Sequence, residues 1–208
     1  MCYSIIMRGR PPSISEKAIL DAALDVFRKR GHAATTAEIA RRAAVSEGIL
    51  FYRYKNKEAL FAAVLHREAE PPQRLRDLAK QAGRGTVAKN LQLIIEALLD
   101  SVSRVHPLFE LAETSAASST IRKALFARPG KPPPVVAIEL VATYLNEEIR
   151  LGRIRKLGPI PVARVIFGGC VEYVRGQQFG GEACDARTFA RELADVLLNG
   201  VVSRDRRQ

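Results

Sequence analysis

Within the stretch 36–57 stand a hydroxyl at Thr36, a carboxylate at Glu47, a bare backbone at Gly48, the apolar Ile49, and Tyr52, Arg53 and Lys57. That assortment suits recognition of a nucleic-acid duplex. Glu47 can accept from a cytosine amino group, Ile49 can touch a thymine methyl, Gly48 allows close backbone approach, and Tyr52 and Arg53 can reach base edges or phosphates. Thr36, in the first turn of a helix, brings a hydroxyl and backbone amides to face an anion. Lys57 opens a further helix against the dipole preference, so a phosphate beside it would relieve a small local conflict. Upstream, Arg8 and Arg10 precede Pro11-Pro12 on an extended arm that can contact phosphates or an adjacent minor groove, with a solvated leader as the alternative.

Catalytic readings fare poorly. His32, His66 and His106 are isolated, and neither a nucleophile elbow, a zinc-protease pair nor a glycine-rich phosphate loop occurs. Cys2, Cys170 and Cys184 are odd in number, far apart and free of any CxxC spacing. That usage fits a reducing compartment, and no enzyme, no metal and no cofactor are expected. No run approaches the roughly 20 apolar residues a bilayer span requires, and the positive charge follows the apolar opening rather than preceding it. A cytoplasmic protein with no membrane partner is the expectation. The formal charge of +11 is uneven: residues 1–67 hold 12 Lys/Arg against 6 Asp/Glu, residues 68–208 hold 21 against 16. A third of the chain thus carries over half of the excess, as a polyanion-binding module would.

Four short helices between Ser13 and Leu65 must position these side chains. Ser13 and Glu16 stand at capping-box spacing, Ile19, Ala22, Ala23, Val26 and Phe27 make one apolar stripe, and Arg28-Lys29-Arg30 precede Gly31 as a stop. Thr35 and Glu38 open a second helix reaching Ala43, with a narrow apolar face of Ile39, Ala40 and Ala43 that permits a close crossing. After a tight turn, Ser46 caps a third helix to Tyr54, whose Leu50 and Tyr54 face inward and whose Glu47, Gly48, Ile49, Phe51, Tyr52 and Arg53 face outward. Exposed aromatics in a row are odd against plain solvent, and a groove floor explains them better. Asn56 caps the fourth. The pair Thr35–Ala43 and Ser46–Tyr54 has the layout of a helix-turn-helix.

Ala22-Ala23-Leu24-Asp25-Val26-Phe27, Gly31, Thr35-Thr36, Glu38-Ile39-Ala40, Ala44-Val45-Ser46, Gly48, Leu50-Phe51-Tyr52, Tyr54 and Asn56-Lys57-Glu58-Ala59-Leu60-Phe61 together resemble the DNA-binding domain of the tetracycline-repressor (TetR) family. The resemblance spans about Ala18 to Leu65. It implies DNA contacts at Thr36, Ser46, Glu47, Gly48, Phe51, Tyr52, Arg53 and Lys57. A segment Gly31–Ile39 one residue shorter than in many members makes Thr35 a candidate beside Thr36. Three residues depart from the family pattern: Ala44 replaces a turn glycine, Ile49 a threonine and Phe51 a tyrosine. Losing both hydroxyls shifts the expected affinity onto Arg53 and the Arg8/Arg10 arm. They also leave open a second reading, a non-catalytic small-molecule sensor or adaptor with a degenerate helix-turn-helix.

Beyond Leu65 helical periods continue without strand-like alternation. Leu91–Val105, His106–Glu113, Val136–Arg150, Val162–Val174 and Phe189–Val202 are the expected helices, punctuated at Pro71-Pro72, Gly83-Arg84-Gly85, Gly130–Pro134, Leu157–Pro161 and Gly180-Gly181. The expectation is an all-α chain: a basic arm 1–12, a helix-turn-helix domain 13–66, a larger helical ligand-binding and dimerisation domain 67–203 and a charged tail 204–208. Small residues Gly168, Gly169, Cys170, Ala190, Ala194 and Gly200 on the last helices suit a twofold partner or packing within the chain. In the resembling family the last two helices form the dimer bundle. The resemblance also implies an inducer pocket in the larger domain, and His106, Tyr144 and Glu172 are its candidate polar contacts among the aliphatics. The reading is thus of a homodimeric regulator, a repressor that binds a palindromic double-stranded operator and is released by a small-molecule effector.

Overall fold

The computed structural model describes residues 15–177, 180 and 184–200, and among these the fold is all-α, without a strand. Arg8, Arg10, Ser13 and the tail 204–208 lie outside the described residues. Helix α1 (Glu16–Arg30) is followed by a 3-10 turn (Gly31–Ala33), then α2 (Thr36–Arg42), α3 (Glu47–Tyr54) and α4 (Lys57–Ala69). Local capping sets these starts. The Thr35 hydroxyl accepts from Glu38 N at 3.2 Å, the Ser46 hydroxyl from Ile49 N at 3.4 Å, and the Asn56 carbonyl from Ala59 N at 2.8 Å. The first cap differs from the sequence expectation: Ser15, not Ser13, accepts from Ala18 N at 3.2 Å. The Glu16 carboxylate accepts from the Tyr54 hydroxyl at 3.2 Å and ties α1 to α3.

The remaining helices are α5 (Gln73–Leu78), α6 (Val87–Glu113), α7 (Ser118–Phe126), α8 (Pro133–Arg150), α9 (Pro159–Gly176) and α10 (Ala186–Asn199). Three corrections follow. The expected break before His106 is absent, because α6 runs 27 residues through Pro107. The prolines at 133–134 and 159–161 do not merely interrupt; they begin α8 and α9, where a missing N–H costs nothing. The last helix starts at Ala186, capped by Asp185, and ends at Asn199 before Gly200 at φ +77°.

Two apolar cores share α6. The first gathers Ile19, Phe27, Ile39, Leu50, Leu60 and Phe61 from α1–α4 with Val105 and Leu108 of α6 and Ile121 of α7. Phe27 and Phe61 meet edge to face, centroids 4.7 Å apart at 83°. The second gathers Leu75, Ile94, Leu98 and Val102 with Val141, Tyr144 and Leu145 of α8, Ile166 and Cys170 of α9, and Ala190 and Ala194 of α10. The small-residue stripe therefore divides. Cys170, Ala190 and Ala194 are buried within the chain and a Cβ on Gly169 would meet Leu193 Cδ2 at 3.4 Å, while Gly168 faces open space near exposed Val165.

Candidate nucleic-acid interface and effector cavity

Helix α3 is held by two inward residues, Leu50 and Tyr54, and everything between them faces out. Tyr52 is 90% exposed, Phe51 46% and Ile49 39%, a row of large apolar surface that the fold leaves uncovered. The turn before it fixes that orientation. After Ala43, Val45 N donates to Ala40 O at 2.9 Å and Ala44 N to Arg41 O at 3.2 Å, the paired bonds of a Schellman ending. Ala44 occupies its left-handed position at φ +54°, the place where the family pattern carries glycine. The exit is equally tight. Lys55 sits at φ +61° while Asn56 N donates to Tyr54 O at 2.7 Å, a γ-turn that sends α4 off directly.

Side-chain bonds then define which groups remain available. Thr36 Oγ1 donates to Glu47 Oε2 at 2.8 Å, which joins the first turns of α2 and α3 and aims the carboxylate. Lys57 Nζ donates to the carbonyls of His32 at 3.2 Å and Ala34 at 3.1 Å, so backbone oxygens relieve the dipole conflict that a phosphate was expected to relieve. The Thr35 and Ser46 hydroxyls are engaged as caps. Gly48 is not demanded by space, since a Cβ there would meet only Ser46 Oγ at 3.7 Å. Arg30 Nε reaches Glu38 at 3.2 Å, and Arg42 pairs with Asp25, holding that carboxyl below its ordinary range. Burial, with Glu16 alongside, pushes the Tyr54 hydroxyl up to about 12, so it stays a hydrogen-bond donor across the physiological range.

A cavity of about 500 Å³ lies between α4–α5, α6, α8 and α9. Its wall is mostly apolar, with Leu98, Val102, Val105, Phe109, Ala137, Phe167 and Val171, and polar groups are few: Ser101, His106, Glu110, Glu113 and Arg175. His106 is buried, its Nδ1 3.9 Å from Glu110 Oε2. Tyr144 and Glu172 do not line this cavity. Tyr144 is fully buried on α8 one turn from Glu148, where burial raises its pKa, and Glu172 is exposed on α9. Phe109, Phe167 and Arg175 were not singled out by sequence. The i, i+3, i+4 spacing of His106, Phe109, Glu110 and Glu113 could have flagged one wall, but the facing wall comes from elements distant in sequence.

The far side of the same turns of α6 touches the first domain. His32 Nε2 and Thr114 Oγ1 are 3.1 Å apart, and a Cβ on Gly31 would meet Leu111 Cδ1 at 3.6 Å. Residues 19–64 match the family of bacterial regulatory proteins, tetR family. That match covers less than a quarter of the chain, and the likeness in sequence is confined to this N-terminal stretch. The HTH-type transcriptional regulator RutR of Escherichia coli K12 is 48% identical over 59 residues, 28% of each protein's length, so this likeness covers under a third of that relative. Over nearly the whole chain the likeness is one of fold. The crystal structure of the transcriptional regulator FadR from Bacillus subtilis in complex with stearoyl-CoA superposes with a TM-score of 0.65 at 20% identity, covering 90% of this chain and 100% of that one. A TetR/AcrR-family regulator from Thermobifida fusca gives 0.64 at 18%, covering 91% and 100%. Ala44, Ile49 and Phe51 therefore lie within the stretch that matches the tetR-family model, in a domain whose helices form around them.

Proposed function

We propose that the chain is a cytoplasmic, homodimeric transcriptional repressor that lays α3 in the major groove of a near-palindromic operator and releases it when a small, predominantly apolar molecule fills the cavity beside α6. The observation that carries the reading is the outward row of α3: Tyr52, Phe51 and Ile49 exposed on a helix anchored by Leu50 and Tyr54. Tyr52 and Arg53 reach bases or phosphates, Gly48 keeps the first turn of the helix low, and Thr36 steadies Glu47. Two such heads are needed for half-sites one turn of DNA apart. Exposed Ile160 and Val165 on α9 and Val196 on α10 supply apolar surface for the twofold contact. Among the described residues no helix is long and apolar enough to cross a membrane.

Release follows from differential affinity. His106, Phe109, Glu110 and Glu113 line the cavity, while Leu108 and Leu111 of the same turns pack into the core of the reading domain. An effector that binds better to the conformer with misplaced heads draws the dimer off DNA by that preference alone. The deciding experiment is selection of duplexes from a random pool by the purified protein. An inverted repeat is expected, with Arg53→Ala and Lys57→Ala weakening its binding and flattening its salt dependence. A pool with no recovered motif, or both variants binding as tightly as the parent, overturns the reading.

A further inference from the structure

The positive excess of residues 68–208 is not spread over that domain. Segments 79–89 and 147–156 hold Lys80, Arg84, Lys89, Arg150, Arg153, Arg155 and Lys156 against Glu147 and Glu148, and the rest of 68–208 has equal numbers of cations and anions. The two segments adjoin in space. Arg153 Nη2 donates to Gly85 O at 2.7 Å, Gly83 N donates to Glu148 Oε1 at 3.3 Å, and a Cβ on Gly83 would meet Leu151 Cδ1 at 3.0 Å. Both acids are used up locally. Glu148 is fully buried with Arg153 Nε 3.2 Å from its Oε2, and Glu147 accepts from Arg150 Nε at 2.8 Å. Lys80, Arg84, Arg155 and Lys156 remain exposed, with no side-chain hydrogen bond or ion pair among the described residues. This pole lies at the start of α6, which enters the core of the reading domain at Val105, so about 27 Å of helix separates the two.

We propose that this pole is a second, sequence-independent binding surface for the phosphate backbone of duplex DNA, able to hold one duplex segment while α3 reads another. Its chemistry selects that partner. Neither segment contains an aromatic residue, and Leu151 is their one large exposed apolar side chain among the described residues, so the surface lacks the apolar centre of a protein interface and the apolar face of a bilayer-surface helix. Cations on short loops, beside glycines that let a backbone come close, match what phosphate contact requires.

The test uses the full chain and three proteins: the parent, a pole variant carrying Lys80→Gln, Arg84→Gln, Arg155→Gln and Lys156→Gln, and a head variant carrying Tyr52→Ala and Arg53→Ala. Each is titrated with a labelled random-sequence duplex over a range of salt, and assayed for pulling down a free duplex on a bead-bound one. The head variant should keep salt-dependent binding, and the pole variant should lose bridging. The slope of log affinity on log salt should fall by about 0.9 per contact removed. Matching melting curves establish that the pole variant is folded, and they are expected because the replaced side chains are exposed and make no hydrogen bond or ion pair among the described residues. Equal slopes and equal bridging in parent and pole variant would overturn the proposal, as would a pole variant that loses only binding to phosphatidylglycerol vesicles. Failure of operator selection by α3 would leave the pole result standing, because the head variant separates the two.

Discussion

Replacing Ala44 by glycine should make the protein more stable. The residue sits at φ +54° in the turn between α2 and α3, where an L side chain crowds the neighbouring carbonyl. That conformation costs a non-glycine residue about 1–2 kcal/mol. Glycine removes the penalty but brings a more flexible unfolded chain, which costs roughly 0.5–1 kcal/mol. Both Schellman bonds run through the backbone, Val45 N to Ala40 O at 2.9 Å and Ala44 N to Arg41 O at 3.2 Å, so neither depends on the methyl group. Ala44 is exposed, and no cavity opens on its removal. The net gain is about 0.5–1 kcal/mol, a rise in Tm of roughly 1–4 °C for a chain of this size. Urea unfolding followed by helical circular dichroism measures it, with an unchanged m value showing that the unfolded state is comparable. A Tm equal to or below the parent's would refute the assignment of strain to this turn.

Three further outcomes follow from the same geometry. Gly48→Ala should stabilise α3 by roughly 0.5–1 kcal/mol, because its Cβ meets only Ser46 Oγ at 3.7 Å, yet weaken operator binding in a gel shift by filling the groove-facing surface. Pro107→Ala should restore the α6 hydrogen bond to Ser103 O and raise stability by up to about 3 kcal/mol, read by urea unfolding; a destabilised variant would show that the proline ring contributes packing instead. Burial, with the Arg128 charge nearby, lowers the pKa of His66, so the fold favours its neutral form. That stability is complete above the unfolded value of about 6.5 and is lost as pH falls through the depressed folded value, so the parent's Tm should drop more steeply below neutrality than that of His66→Gln.

What could be read from sequence was what is decided locally. The caps at Thr35, Ser46 and Asn56 act within three residues, and the inward placement of Leu50 and Tyr54 follows from helical spacing alone. The capping-box spacing to Glu16 favours Ser13, whereas Ser15 caps the helix with Ala18, not a carboxylate, three residues on; the link of Glu16 to Tyr54, a tertiary contact, is invisible at that range. Helices α5 and α7 carry little signal in sequence because each buries one residue, Leu75 or Ile121, and owes its place to neighbours rather than to a stripe of its own. Tyr144 suggested a pocket because its polar atom was visible and its direction was not. The periodicity of α8 does not say that Tyr144 turns toward Glu148 rather than toward the cavity.

Pro107 marks where the two cores meet. Val102 belongs to the core of the larger domain and Val105 to that of the reading domain, so the proline lies just past the point where α6 passes from one to the other. A proline inside a helix forfeits the hydrogen bond to the carbonyl four residues back, which here is Ser103. Ser103 and Pro107 are both exposed, so water can satisfy that carbonyl, and the helix persists because apolar residues on either side are buried in separate cores. The weakest link of α6 therefore coincides with the boundary between cavity and reading head. His106, one residue before Pro107, faces the cavity, and Leu111, one turn after it, packs against Gly31. On the proposed function, a ligand that shifted the terminal turns of α6 would move the head while leaving the core around Ile94 and Leu98 in place. That is the mechanical separation an effector-controlled DNA-binding protein needs.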